Sequence, residues 1–157
     1  MFKFISSTKV LKSQRETLFK RLKEIEKKYV TVGIHENKKY EDNTPVAMIA
    51  AIHEFGSDNV PERSFIRSSI NENKSTIKKY IRLYLQQVLR LSMSVDTALA
   101  SIGNVVAAKH KEKIVKGEFT PLSKVYYELK MKKLGKAYIL RYTDTLLQSI
   151  DYEIKTE

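Results

Sequence analysis

Apolar positions along the chain fall into two rhythms, and the switches between them mark its elements. From Ser13 to Lys28, Leu18, Leu22 and Ile25 recur at the three- and four-residue spacing of one helix face, with Leu11 upstream and charge in the gaps. In "YVTVGIH", Val30, Val32 and Ile34 alternate with Thr31 and Gly33, the period of a strand with one buried face. The polar, turn-rich "ENKKYEDNTP" follows, and Thr44 before Pro45 has the form of an N-cap with proline at the first helical position. A short helix is therefore expected from Pro45 to about Phe55. Met48, Ile52 and Phe55 would share a face, Ala47, Ala50 and Ala51 would permit close approach, and Gly56 would stop it with a left-handed cap.

Two longer helices come next. Ile77, Ile81, Tyr84, Val88 and Leu91 form one stripe and Val95, Leu99, Ile102 and Val106 another, with Ser94 as a cap between them; so short a spacer favours an antiparallel pair. Gly117 ends the second. "TPLSKVYYELKMKK" then starts a helix with Leu122, Val125 and Leu129 as its buried side, running to Gly135. "AYILRY" reads as strand or loop. Thr143 reads as the cap of a short helix carrying Leu146 and Leu147, and Ile150, Tyr152 and Ile154 alternate as a terminal strand. The pattern implies an α+β fold: one helix-rich domain over residues 1–157, with a small, mainly antiparallel sheet and two long amphipathic helices.

Composition narrows the chemistry. The 157 residues include no cysteine, which removes disulfides, thiol nucleophiles and thiolate metal sites. The longest apolar run, Val46 to Ile52, falls far short of the roughly 20 residues of a membrane span. The opening "MFKFISSTKV" lacks the apolar core of a signal peptide, so a soluble, non-secreted protein is expected. Lys and Arg number 29 against 18 Asp and Glu, a net charge of +11, which invites a polyanionic partner, although much of the excess sits on helix faces where solvated charge is ordinary.

Catalytic patterns are not found. His35-Glu36 and His53-Glu54 are both His-Glu pairs, but neither extends to the H-E-x-x-H of a zinc helix, and a site from His35, His53 and His110 would need a tertiary coincidence. The five glycines, at positions 33, 56, 103, 117 and 135, make neither a nucleophile elbow nor a phosphate-cradling loop. The expectation is a non-enzyme without cofactor or metal. A basic nucleic-acid-binding module is the alternative, since tyrosines such as Tyr80, Tyr84, Tyr126 and Tyr127 are available as stacking platforms, at spacings that equally suit a core margin.

The run "VAMIAAIHEFGSDNVPERSFIRSSI" resembles the hallmark of the tail-completion and neck proteins of tailed phages, the virion-morphogenesis or minor tail component families. In these an alanine-rich helix ends in a Glu-Phe-Gly turn, followed by a Pro-x-Arg-Pro-Phe segment. Ala47, Ala51, Glu54, Phe55, Gly56, Pro61, Arg63 and Phe65 match it, and Ser64 stands where the second proline is usual. The Val30 to Ile34 strand matches the family's Val-x-Val-Gly-Ile upstream. Pro121-Leu122-Ser123 matches its helix start, and Leu140, Thr143, Leu146, Ser149 and Ile150 match its C-terminal segment, with Asp144 in place of the usual glycine.

The resemblance covers most of the chain. It implies a structural virion protein at the head-to-tail junction, assembled in the host cytoplasm and forming a ring, with six subunits favoured, between the portal complex and the tail tube. Its partners would be other connector and tail tube proteins, with packaged DNA as a further contact for the basic charge and no membrane. Elementary physics gives the hallmark a structural part: Gly56 permits a sharp helix exit, Pro61 holds the returning chain extended, and Phe55 and Phe65 anchor the loop ends in the core. Glu54 and Arg63 are placed to pair across the loop or to reach a neighbouring subunit. Thr143, Leu146 and Ser149 complete the candidate interface residues.

Overall fold

The structure, a computed structural model, describes residues 4–157, with side chains from residue 10 onward; the start of the signal-peptide reading, residues 1–3, lies outside the described residues. The described residues form a helix-rich α+β domain. Its elements are α1 (Phe4–Lys27), β1 (Lys28–Ile34), α2 (Val46–Phe55), α3 (Arg67–Leu89), α4 (Val95–Lys116), α5 (Lys124–Leu134), α6 (Thr145–Gln148) and β2 (Ile150–Thr156).

The two strands pair antiparallel, so the first and last predicted strands meet, with Val30 opposite Ile154, Val32 opposite Tyr152 and Ile34 opposite Ile150. The alternation read from sequence thus places the apolar sets of both strands on one face. Helix α4 packs on that face and against α3. Ser69 near the start of α3 meets His110 near the end of α4, and Val88 at the end of α3 clusters with Val95 at the start of α4, which makes the pair antiparallel as expected. The serine hydroxyl of Ser94 accepts from the Thr97 amide at 3.1 Å and caps α4.

Close approach of helix and sheet depends on Gly103. A β-carbon there would lie 2.5 Å from Cγ and 2.8 Å from Cβ of Tyr152, so the strand residue occupies the space that any larger side chain would need. The main core gathers at the C-terminal end of α4, where Val46, Phe65, Ala107, Ile114, Leu140, Leu146 and Ile150 are buried together. A second cluster, Val88, Val95 and Ala98 with Ile25 and Tyr84 against it, lies at the other end.

Four readings are corrected, and one left open between strand and loop is resolved. Thr44 does not cap α2: Pro45 holds the N-cap position with ψ 127°, while the Thr44 amide donates to the Asp42 carboxylate at 3.0 Å. Thr143 does not cap α6: the N-cap is Asp144, in the left-handed region at φ 59°. The inward face of α2 is Val46, Ala50 and Glu54; Met48 and Phe55 are turned to solvent, because the corner described below requires the glutamate inside. On α5, Val125 and Leu129 are exposed and Lys130 is buried, because the lysine is held from within by the Tyr138 carbonyl. "AYILRY" is a turn rather than a strand, with Leu140 buried at φ 60°.

Candidate functional site

Helix α2 and helix α3 are joined by a corner that a single side chain organises. An α-helix opens with backbone amides that have no partner within it, and Ile66, at the N-cap of α3, supplies no side-chain acceptor. The acceptor comes from α2. Glu54, 4% exposed, takes the amides of Phe65 and Ile66 on Oε2, at 2.8 and 2.9 Å, and the amide of Arg67 on Oε1 at 2.9 Å. The Ser64 hydroxyl and Arg67 Nε also donate to Oε1, at 2.7 and 3.1 Å. Burial pushes the Glu54 carboxyl up, but the Ile66, Arg67 and Phe65 amides and the Ser64 hydroxyl outweigh it, and the net shift is downward. The negative group also faces the positive end of the α3 dipole.

The opposite end of α3 is closed in the complementary sense. Arg21 of α1 donates from Nη1 to the carbonyls of Val88 and Met93, at 3.0 and 2.7 Å. One long helix is therefore held between a carboxylate at its N-terminus and a guanidinium at its C-terminus, each contributed by a different helix.

Around the corner, Gly56 exits α2 at φ 78°, ψ 174°, its amide on the Ile52 carbonyl; this is a glycine conformation but not the left-handed cap expected. The expected Glu54–Arg63 pair does not form. Arg67 takes the carboxylate, and its guanidinium also lies 4.8 Å over the exposed Phe55 ring. Phe65 is fully buried, so one of the two phenylalanines anchors the loop and the other does not. Arg63 is buried, with its amide on the His53 carbonyl at 2.7 Å and its Nε and Nη2 on the carbonyls of Thr120 and Pro121, at 2.9 and 3.2 Å. It ties the hallmark loop to the segment that precedes α5.

Beneath this tie lies a cavity of about 920 Å3. Pro61 and Arg63 from the hallmark, Pro121, Leu122 and Ser123 from the α5 start, and Leu140, Thr143 and Leu146 from the C-terminal segment all line it. Of the remaining candidate residues, Ser149 is buried at the end of α6, with its amide on the Thr145 carbonyl at 2.9 Å, and Glu54 lies in the corner. Lys130, 3% exposed, joins Arg63 in the wall and donates to the Tyr138 carbonyl. Burial and the neighbouring Arg63 charge pull the Lys130 ammonium down, against the opposing pull of Asp144. His53 is also in the wall; burial, then the charges of Arg63 and Lys130, push its imidazole down, and its Nδ1 is buried without a partner.

Sequence reasoning passed over Lys130 and His53 as cavity residues. A lysine between apolar helix positions reads as surface, and only its tertiary placement says otherwise. The third histidine, His110, is buried in the α3–α4 interface. Its Nδ1 is hydrogen-bonded with the Ser69 hydroxyl, which also lies 3.0 Å from the Ile66 carbonyl, and its Nε2 is buried without a partner. His35 lies apart from both, by Thr31 and 3.6 Å from Glu153. Among the described residues no group of three His, Asp or Glu converges to hold a metal ion, and no helix is long and apolar enough to cross a membrane. Comparison with protein-family models, with curated proteins and with solved structures finds no match.

Proposed function

We propose that this chain is a structural subunit of the head-to-tail junction of a tailed phage, acting in the virion as a ring, with six subunits favoured, between the portal complex and the tail tube. The observation that carries this reading is convergence. The hallmark loop, the Pro121-Leu122-Ser123 start and the C-terminal segment, distant in sequence, line one cavity, as parts of a single structural unit would. The two departures from the family pattern fit the same reading. Ser64, where proline is usual, adds a hydroxyl donor to Glu54, and Asp144, where glycine is usual, occupies a left-handed conformation that glycine favours and aspartate tolerates.

A ring subunit also needs surface to bury. Leu11 and Phe19 on α1 are exposed, as are Val125 and Leu129 on α5, apolar positions that the isolated chain leaves to water. The test is native mass spectrometry of the purified chain, followed by addition to phage particles arrested before tail joining. A higher-order ring and restored joining are expected. A monomer that ignores such particles yet binds duplex DNA, with affinity falling steeply as salt rises, would replace this reading by that of a basic nucleic-acid-binding module.

A further inference from the structure

The cavity holds two cations that make no direct ion pair among the described residues. Arg63 and Lys130 both direct hydrogen bonds to uncharged carbonyls, and neither forms a salt bridge among the described residues. Nη1 of Arg63 makes no hydrogen bond among the described residues, and Lys130 has two further protons to give. His53 Nδ1, buried and unpartnered, lies in the same wall. The carboxylates nearby are engaged elsewhere: Asp144 by Arg141 at 2.8 Å, Asp42 by the Thr44 amide, and Glu54 by the start of α3. Two buried cations with no salt bridge, and only the pull of an Asp144 already paired with Arg141, are costly, and the cost falls when an anion enters between them.

We propose that the cavity binds the carboxylate of an acidic peptide segment from a partner protein, seated between Arg63 and Lys130. The walls favour this over a phosphate. Val60, Pro61, Leu122 and Leu146 present hydrocarbon and Tyr126 and Tyr142 present rings, which suit the carbon chain that bears an acid and the apolar residues beside it. Arg63 already spends Nε and Nη2 on carbonyls, so that two-pronged fork is closed to either anion and the choice between them rests on the apolar walls. Nη1 of Arg63 and the free protons of Lys130 remain, one nitrogen for each oxygen of a carboxylate. This binding site goes beyond the neck reading and does not depend on it.

The experiment follows amide shifts of the isotope-labelled full chain during titration with an end-blocked Leu-Glu-Leu peptide. The Leu-Gln-Leu analogue, inorganic phosphate and a thymidine oligonucleotide serve as rivals. The Glu peptide is expected to move the amides of residues 60–64, 121–131 and 140–146, and the Gln peptide to bind at least about tenfold more weakly. Lys130→Met, which keeps the length of the side chain and removes the charge, should melt near the parent temperature and lose the same factor in affinity for the Glu peptide. Equal binding of the two peptides, tighter binding of phosphate or oligonucleotide at these residues, no response to any probe, or unchanged affinity in Lys130→Met would each overturn the proposal.

Discussion

Glu54 receives donors from three backbone amides, a hydroxyl and a guanidinium, and a carboxylate in that setting is stabilised as an anion. Because its folded pKa lies below the ordinary value, it contributes stability above the unfolded carboxyl pKa, and that contribution is lost as pH falls through the folded pKa. Glu54→Gln keeps the shape but sets an amide donor against other donors, at an expected cost of about 2–3 kcal/mol at pH 7. The gap between parent and variant in urea unfolding should close as pH falls below about 4.3. A gap that is the same at pH 7 and pH 3 would remove Glu54 from this role. Both proteins should already weaken over a less acidic range: His53 and His110 are held below the ordinary 6.5, so stability drops as pH falls from 6.5 toward their folded values. The two phenylalanines of the corner separate just as sharply. Phe65→Ala removes a fully buried ring, at an expected cost of about 3–5 kcal/mol, whereas the ring lost in Phe55→Ala is 64% exposed and the cost should stay under about 1 kcal/mol. Similar losses from both would mean that Phe55 is also an anchor.

At the scale of elements, the sequence was informative wherever apolar side chains alone decide the packing. Val30, Val32 and Ile34 alternate because one sheet face is covered, and the stripes of α3 and α4 are regular because these helices pack on each other. The reading failed where a polar group takes the interior. Glu54 turns α2 so that Phe55 and Met48 face out, and Lys130 turns α5 so that Val125 and Leu129 face out. Periodicity assigns every apolar residue to the core and has no means of ranking one buried carboxylate above a phenylalanine. Convergence on the cavity was illegible for a related reason: Arg63 finds its partners in Thr120 and Pro121, carbonyls that any residue type would supply. Gly103 shows the same limit. A glycine within a helix costs about 1 kcal/mol relative to alanine, and Gly103→Ala would ordinarily stabilise α4 by that amount. Here Tyr152 fills the space, so overpacking of about 1–3 kcal/mol should exceed the gain and lower the melting temperature, with the loss relieved in the Gly103→Ala, Tyr152→Ala double variant relative to Tyr152→Ala alone. An increase in stability from Gly103→Ala in the parent chain would mean that helix and strand have room to separate.

For the whole molecule, charge and apolar surface act on assembly in opposite directions. Copies of a chain with net charge +11 repel one another, while exposed Leu11, Phe19, Val125 and Leu129 favour contact with a surface that covers them. Salt weakens the repulsion, because the Debye length shrinks from about 10 Å at 0.1 M to about 3 Å at 1 M, and it leaves the apolar attraction intact. Self-association measured by sedimentation should therefore strengthen as salt rises, whereas binding to DNA would weaken over the same range. Leu11→Ser with Phe19→Ser, and separately Val125→Ser with Leu129→Ser, should leave the stability of the isolated chain within about 0.5 kcal/mol per substitution, since these side chains meet water already. At least one pair should reduce association about tenfold or more, identifying the helix that lies in the proposed ring contact. Association that falls with salt, or that survives both pairs unchanged, would place the contact on charged surface elsewhere and remove these two helices from it.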